Sequence, residues 1–296
     1  MKVLIDNYNN LKNKEPLTIA IGNFDGVHLG HKTLIHEVMH YNDTKSAVLT
    51  FHPHPLKVLR DVEFQEIMIL SEKIYYLNET GLDYMFVARF DEAFYTLGVD
   101  EFISFLKQIG VKRVVVGRDF RFSYHAKGSV HDLEKHFIVV VMDDYKKESI
   151  RISTTYIKDL IYASKLEEAR ALLSRDYQIT AKVIKGSQIG HTLGFPTANL
   201  LYGHYVLPRN GVYYVNVKYK EKLYKGALNI GYNPSINYST KKRVEVHLLD
   251  FNGNLYDEEL TIYFKKFLRP ELKFHSREAL IEQLKTDVQM IKEEPF

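Results

Sequence analysis

The 296-residue sequence contains no cysteine. That absence excludes disulfides, thiolate metal centres and a cysteine nucleophile. No charge of one sign dominates either: 40 basic residues are intermixed with 37 acidic ones, for a net charge of +3. A chain that binds nucleic acid carries one-sided basic charge, so no nucleic-acid partner is expected. No apolar run reaches the roughly 18 residues that a membrane span requires, so no membrane partner is expected. The start, Met1-Lys2-Val3-Leu4-Ile5-Asp6, has no long apolar core and no cleavage-site pattern, and a soluble cytoplasmic protein is expected. What remains is ordinary globular composition, 45% hydrophobic and 26% charged, and a length sufficient for one large or two ordinary domains.

The most informative stretch is Gly22-Asn23-Phe24-Asp25-Gly26-Val27-His28-Leu29-Gly30-His31. It follows a short apolar run, Leu17 to Ile21, and precedes a helical pattern, Thr33 to Met39, which predicts strand, tight turn and helix start. His28 and His31, three residues apart, share a face on a first helical turn, and Gly30 leaves room for a ligand near the backbone. A helix N-terminus attracts phosphate, and two imidazoles aimed at one place can donate to charge developing on a phosphoryl oxygen. A solvated helix start and a zinc site are the alternatives.

The first half alternates strand and helix. Strands are expected at Ala47–Phe51, Asp83–Phe90, Arg113–Gly117 and Phe137–Met142, and helices at Ser71–Glu79, capped by Ser71, and Asp100–Gln108, capped by Asp100 and ended at Gly110. His52-Pro53-His54-Pro55 is expected as a rigid loop that cannot continue into a helix. This alternation implies a parallel sheet covered by helices, with ligands outside the carboxyl ends of the strands. The loops 22–31, 50–55 and 117–128 are expected to converge there on one pocket. Ile152-Ser153-Thr154-Thr155-Tyr156-Ile157-Lys158 places hydroxyls at a helix N-cap and a cation one turn later, a second oxyanion-binding end. His36-Glu37-Val38-Met39-His40 matches the H-E-x-x-H zinc-protease pattern, but it lies two to three turns from the phosphate-type turn and reads as an exposed helix face.

Around Arg175-Asp176-Tyr177 the texture changes. Thr180–Ile184, Gly211–Val217, Val244–Leu249 and Leu260–Phe264 alternate apolar and polar residues between Gly, Pro and Asn turns, which predicts an antiparallel barrel. A short helix, Leu166–Leu173, precedes the boundary, and a final helix from Ser276 to about Ile291 carries Leu280, Leu284 and Val288 on one face. In Gly190-His191-Thr192-Leu193-Gly194-Phe195-Pro196-Thr197-Ala198-Asn199, glycines suit phosphates, and the Thr197 hydroxyl and Asn199 carbonyl suit magnesium. Glu245 is a general base if it points into the barrel and an ordinary strand carboxylate if it faces water.

The Gly22–His31 stretch resembles the signature of the adenylyltransferase module in bacterial bifunctional riboflavin kinase/FAD synthetases. Thr50-Phe51-His52-Pro53-His54-Pro55, Val116-Gly117-Arg118-Asp119-Phe120-Arg121-Phe122 and Ile152-Ser153-Thr154-Thr155 resemble that family's other motifs in the same order. Gly194-Phe195-Pro196-Thr197-Ala198-Asn199 is similar to the riboflavin kinase signature. Asn229-Ile230-Gly231, the Val244–Phe251 segment and Arg269-Pro270-Glu271-Leu272-Lys273-Phe274 follow in family order. The resemblance implies an α/β Rossmann-like nucleotidyltransferase domain, residues 1–176, followed by a small antiparallel β-barrel, riboflavin-kinase-like domain, residues 177–296, with a C-terminal helix.

It further implies that riboflavin is phosphorylated to FMN and FMN adenylylated to FAD, with ATP as co-substrate and Mg²⁺ as cofactor. His28 and His31 would contact the ATP phosphates and stabilise the transition state. Gly22, Asn23, Phe24, Asp25, Gly30, Ser153, Thr154 and Lys158 would complete that ATP site, and His52, Pro53 and Asp119 would face the flavin. In the second domain Gly194, Pro196, Thr197 and Asn199 would bind MgATP, and Glu245 would deprotonate the ribityl hydroxyl. The alternatives are FAD synthesis alone, with a kinase-inactive flavin-binding barrel, and a non-catalytic flavin sensor or carrier. Several positions depart from the family's usual residues: Lys158 and Ala126 replace Arg, Ser123 and Asp257 replace Gly, His191 replaces Arg, and Asn233-Pro234-Ser235 replaces Arg-Pro-Thr. Nothing in the sequence specifies an oligomeric state.

Overall fold

The computed structural model describes residues 1–60, 64–186, 193–232 and 242–296. By internal contacts the chain divides into two compact units, Met1–Thr154 and Thr155–Phe296.

The first unit is built on six strands, β1 (Lys2–Asp6), β2 (Leu17–Ile21), β3 (Lys45–His52), β4 (Tyr84–Arg89), β5 (Val111–Gly117) and β6 (Ile138–Met142). They form one parallel sheet in the order β1-β4-β3-β2-β5-β6. The chain runs outward from β2 through β3 to β4, then returns to place β5 on the other side of β2. The sheet therefore reverses its strand order beside β2, where open α/β sheets bind ligands. Every residue of β2 is buried, as expected of a strand covered on both faces.

Alternation sorts side chains to two cores. Ile19, Leu49, Phe86, Val114 and Val116 face one, packed with Phe102, Phe105 and Leu106 of α5 (Val99–Gln108). Ala20, Val48, Met85, Val87 and Val115 face the other, with Ile35 and Val38 of α1 (Leu29–Met39) and Leu77 of α3 (Leu70–Asn78).

Several local expectations are corrected. Pro55 begins a short helix, α2 (Pro55–Leu59), because proline is tolerated at a first helical position; His54 caps it, its Nδ1 accepting from the Leu56 N–H at 3.2 Å. Helix α3 starts one residue earlier than Ser71, and the Glu72 carboxylate accepts from the Ile69 N–H at 3.2 Å. Helix α5 is flanked by Gly98, whose N–H donates to Glu101 at 2.7 Å; Asp100 lies inside the first turn, where a carboxylate favours the dipole. The helices α4 (Glu92–Tyr95) and α6 (Val130–Glu134) and a two-strand ribbon, β7 (Lys146–Lys147) with β8 (Ile150–Arg151), complete the unit.

Helix α7 (Thr154–Tyr162) and α8 (Leu166–Leu173) lead to β9 (Tyr177–Ile184). With β10 (Ala198–Leu201), β11 (Gly211–Tyr219), β12 (Lys222–Gly231), β13 (Arg243–Leu248) and β14 (Glu259–Arg269) it closes an antiparallel barrel in the order β10-β13-β12-β11-β14-β9. Ile179, Ala181 and Val183 from β9, Val244 and Val246 from β13, and Leu260 and Ile262 from β14 are buried at alternate positions. The final helix, α9 (Arg277–Glu293), is capped by Ser276, whose Oγ accepts from the Ala279 N–H at 3.1 Å. It is held to the barrel by a buried, forked ion pair: Arg269 Nε donates to Asp287 Oδ1 at 2.9 Å and its NH2 to Oδ2 at 2.6 Å.

Ser123, where the resemblance implied glycine, stands at φ 65° and ψ −179°, a region populated almost only by glycine. Ser123→Gly relieves about 1–3 kcal/mol of backbone strain and gives up a hydroxyl bond to the Gly98 carbonyl, 3.1 Å long, worth about 1 kcal/mol. Glycine also adds roughly 0.5–1 kcal/mol of conformational freedom to the unfolded chain, so the expected result is a first unit more stable by up to about 1 kcal/mol, read as an equal or higher midpoint in thermal or urea unfolding; a lower midpoint would contradict the strain.

Candidate functional sites

The turn after β2 carries three residues with left-handed backbone, Phe24 (φ 49°), Gly26 (φ 90°) and Val27 (φ 39°). It is held by contacts from four directions. Asp25 Oδ1 accepts from the N–H groups of Ile67 and Met68 at 2.9 and 3.2 Å. The Asn23 carbonyl accepts from Thr50 Oγ1 at 3.1 Å and from Lys73 Nζ at 2.6 Å. Thr154 Oγ1 donates to the Asp25 carbonyl at 3.1 Å. A turn so constrained presents the same atoms to a ligand each time it binds.

What it presents is the start of α1. His28 is the N-cap, 4% exposed, and its Nδ1 accepts from the His31 N–H at 3.3 Å. With Nδ1 an acceptor, the proton of the neutral ring sits on Nε2. The His28 and His31 rings stack 3.6 Å apart at 19°, and Phe24 packs edge-on against His31 at 5.2 Å. The two imidazoles are therefore together, though His28 caps the helix and does not lie within its first turn. A Cβ on Gly30 would stand 3.2 Å from the His28 ring and 3.5 Å from the Ile152 carbonyl. Gly30 thus lets the His28 ring fold back over the helix start. The Asn23 side-chain oxygen, in the same turn, is buried with no hydrogen-bond partner.

The other predicted residues of the first unit fall nearby or apart. Thr50, at the carboxyl end of β3, ties the 50–55 segment to the turn, and His52 follows in that segment. Burial, reinforced by the charges of Lys73 and Lys57, pushes the His52 imidazole below its usual pKa. Ser153 and Thr154 arrive from β8, while Lys158 lies one turn further along α7. Segment 117–128 is anchored to the 97–98 turn by Ser123 Oγ and by the Tyr124 N–H, which donates to the Leu97 carbonyl at 2.9 Å. Asp119 in that segment pairs with Arg151 at 2.7 Å, and this bond holds its carboxyl below the usual range. His36 and His40 are exposed on α1, and Glu37 accepts from the Tyr41 hydroxyl at 2.6 Å. Among the described residues no group of three His, Asp or Glu is placed to hold a metal.

In the second unit, Arg243, Glu245 and His247 occupy the outer face of β13, because the inner positions belong to Val244, Val246 and Leu248. Glu245 thus points neither into the barrel core nor into open water. Its side chain is 11% exposed and pairs with Arg243. It lines a 270 Å³ cavity roofed by Leu280, Leu284 and Val288 of α9. Strand register sets Asn199 of β10 on one side of Glu245 and Asn229 of β12 on the other, so three polar residues form a row across the wall.

A second cavity, of 440 Å³, lies against Pro196, Phe251, Asn254 and Tyr256. Thr197 lines both cavities. The segment leading to it is fixed from β13: His247 Nδ1 donates to the Pro196 carbonyl at 2.8 Å, and Phe195 packs edge-on against His247 at 5.6 Å. Gly194 adopts φ 83°, and a Cβ on Gly186 would stand 2.0 Å from Asn199 Nδ2. Asp257, where the resemblance implied glycine, adopts a left-handed φ of 65° and pairs with Lys182 at 2.8 Å. His191 and Asn233, Pro234 and Ser235 lie outside the described residues. Sequence reasoning missed Lys73, Gly186 and the role of His247. A lysine inside an otherwise apolar helix face was the available signal for the first, and nothing local signalled the other two.

Comparison with known proteins matches both units. A family model described as FAD synthetase matches residues 10–156, and one described as riboflavin kinase matches residues 173–294. A bifunctional riboflavin kinase/FMN adenylyltransferase from Listeria monocytogenes is 37% identical, over 92% of this chain and 90% of that protein. One from Buchnera aphidicola is 33% identical, over 99% and 98%. A solved structure from Streptococcus pneumoniae described as a macrolide-efflux protein covers 100% of both chains at 26% identity and a TM-score of 0.88. Among the described residues of the present chain, no helix is long and apolar enough to cross a membrane. Both family models in order, and relatives above 30% identity along nearly the whole length, show that the chain belongs to the bifunctional riboflavin kinase/FMN adenylyltransferase family.

Proposed function

We propose that the chain makes FAD from riboflavin in two steps, phosphorylation in the second unit and adenylylation in the first. For adenylylation, the supporting observation is the stacked His28–His31 pair at the start of α1, beside the strand-order reversal of the sheet. An FMN phosphate oxygen attacks the α-phosphorus of ATP, a new P–O bond forms, and the bond to the pyrophosphate oxygen breaks. His28 Nε2–H and the His31 ring donate to the phosphate oxygens as charge moves onto the leaving group. Gly22, Asn23, Phe24, Asp25 and Gly30 shape the turn around ATP, and Ser153 and Thr154 close the phosphate end. His52, Pro53 and Asp119 stand on the flavin side of this reading. No covalent enzyme intermediate is needed; alignment and charge stabilisation suffice.

For phosphorylation, the supporting observation is Thr197 standing in the wall shared by two cavities. The apolar roof of α9 suits a flat ring system such as the isoalloxazine of riboflavin, and the second cavity suits ATP. Glu245 takes the proton of the ribityl hydroxyl as that oxygen attacks the γ-phosphorus and ADP leaves. The Thr197 hydroxyl and Asn199 carboxamide are hard oxygen donors of the kind magnesium prefers, and with Gly194 and Pro196 they would hold MgATP. Magnesium held by these residues would neutralise phosphate charge.

A coupled assay that follows riboflavin, FMN and FAD separately tests the reading, and an intact chain that yields neither product would sink it. His28→Ala is expected to lower FAD formation from FMN by about 10²–10³-fold while FMN formation from riboflavin persists. Glu245→Gln is expected to do the converse, by about 10²-fold or more. Gly30→Ala, which crowds the His28 ring by a few tenths of an ångström, is expected to lower FAD formation about tenfold with little change in melting temperature. In the second unit His247→Asn, which keeps an N–H near the Nδ1 position, should hold FMN formation within about threefold of the parent. His247→Phe should lower it about tenfold; equal rates for the two variants would show that the Pro196 bond has no role.

A further inference from the structure

Lys73 is the one buried lysine among the described residues, 5% exposed in the second turn of α3. Burying an ammonium is expensive unless a fixed partner or a function repays it. Its Nζ reaches out of the helix to the Asn23 carbonyl at 2.6 Å. That carbonyl belongs to the residue before Phe24, where the backbone enters the left-handed region. The bond is half of a reciprocal clamp. Asp25 from the turn accepts from the Ile67 and Met68 N–H groups that lead into α3, while Lys73 from α3 donates to the turn. Two side chains, each ending on the other segment's backbone, tie the turn to the start of α3.

The ammonium also acts at a distance. Its own pKa is pushed down by burial, a shift opposed by Asp25 and Glu66. Burial is the main reason the His52 imidazole lies below its usual pKa, and the Lys73 and Lys57 charges add to it. One cation thus touches the phosphate-type turn and biases the residue read as facing the flavin.

We propose that Lys73 is a positioning residue for adenylyl transfer: its ammonium holds the Asn23 carbonyl, and with it the turn that presents His28 and His31, and sets a fixed positive charge beside the His52 segment. The inference rests on the adenylyltransferase reading of the first unit. A purely structural lysine that only neutralises Asp25 and Glu66 would stabilise the unit without governing His52 or the turnover rate.

The test uses the full chain with Lys73→Met, which keeps length and loses charge, and Lys73→Gln, a neutral donor that can still reach toward the carbonyl. Riboflavin phosphorylation by the same molecules and thermal unfolding report integrity. FAD formation from FMN gives kcat and KM, and proton NMR titration follows His52, assigned with His52→Gln. Lys73→Met is expected to lower kcat for FAD formation about 30-fold or more, with the KM for ATP changed less than about threefold. Lys73→Gln is expected to recover part of that loss. In both variants the His52 midpoint is expected to rise toward the ordinary histidine value, because a repelling cation has gone. If Lys73→Met does not fold, Lys73→Gln carries the same two readouts. Parent-like FAD formation in a folded variant, or an unmoved His52 midpoint, overturns the inference. Failure of the parent itself to make FAD from FMN overturns the adenylyltransferase reading instead.

Discussion

The first unit depends on a single acceptor, the carbonyl oxygen of Asn23. Two donors from separate elements meet on it: the Thr50 hydroxyl at the end of β3 and the Lys73 ammonium from α3. A backbone carbonyl at a turn in the protein interior must be satisfied or it destabilises the fold. Here that requirement is used to tie three elements of the fold together at one atom. Because the Asn23 carbonyl is fixed, Phe24 and Val27 can hold backbone angles that cost energy. Those angles deliver His28 to the cap position and His31 against it. The chain of causes runs from sheet order, which opens the space beside β2, through the carbonyl, to the imidazoles.

The second unit solves a different problem. A closed six-stranded barrel of this kind fills its interior with side chains, so chemistry has no room inside. Strand alternation then leaves only the outer wall. An outer-wall carboxylate is normally solvated, yet Glu245 is 11% exposed because α9 stands over that wall. The Arg269–Asp287 fork holds it there, with Gln283 donating to Asp287 at 2.9 Å from the same helix. A buried ion pair contributes little net stability compared with apolar packing, but its directionality suits setting the distance of a roof. The roof's apolar face meets a cavity where an ordinary docked helix would meet close-packed side chains. Asp287 stands between Leu284 and Val288 of the stripe, so the fork and the apolar roof face the same cavity.

Much of this was legible in the sequence, for physical reasons that can be named. The central strands are continuous apolar runs and the barrel strands alternate, so the parallel sheet and the barrel were readable from period; the two signature loops were read from their own residue types and from the family resemblance they carry. The stacking of His28 on His31 follows from their spacing, with one refinement: the cap position of His28 depends on the backbone angles of Phe24 and Val27, which have no composition signal. Glu245 shows the limit more sharply. Periodicity places it on one face of β13 or the other, but burial on the outer face depends on α9, residues away in sequence. Lys73 gave only a weak signal, a lysine on an otherwise apolar helix face, because a lysine in an amphipathic helix is ordinarily solvated; the partner that fixes its ammonium, the Asn23 carbonyl, is distant in sequence. The edge strand β1 and the helix opened by Pro55 were missed because pairing and position override weak local preference.

The departures from the family's residues carry a further point about what a signature encodes. Ser123 and Asp257 stand where the resemblance implied glycine, and the backbone has positive φ at both, 65° in each case. Glycine at such positions lowers the cost of a conformation, whereas the surrounding contacts choose it. Tyr124 and Ser123 are each bonded to the 97–98 turn, and the Asp257 N–H donates to the Val183 carbonyl at 3.0 Å, so both turns are held from outside. The cost of these two residues falls on backbone stability, and neither turn carries the stacked imidazoles, Thr197 or Glu245. The stacked imidazoles, the Thr197 hydroxyl and the Glu245 carboxylate owe their places to other contacts: the Gly22–His28 turn, the His247 bond to Pro196, and α9. Loss of a glycine is thus weak evidence against activity when the turn's conformation persists, and loss of one of those holding contacts would be strong evidence.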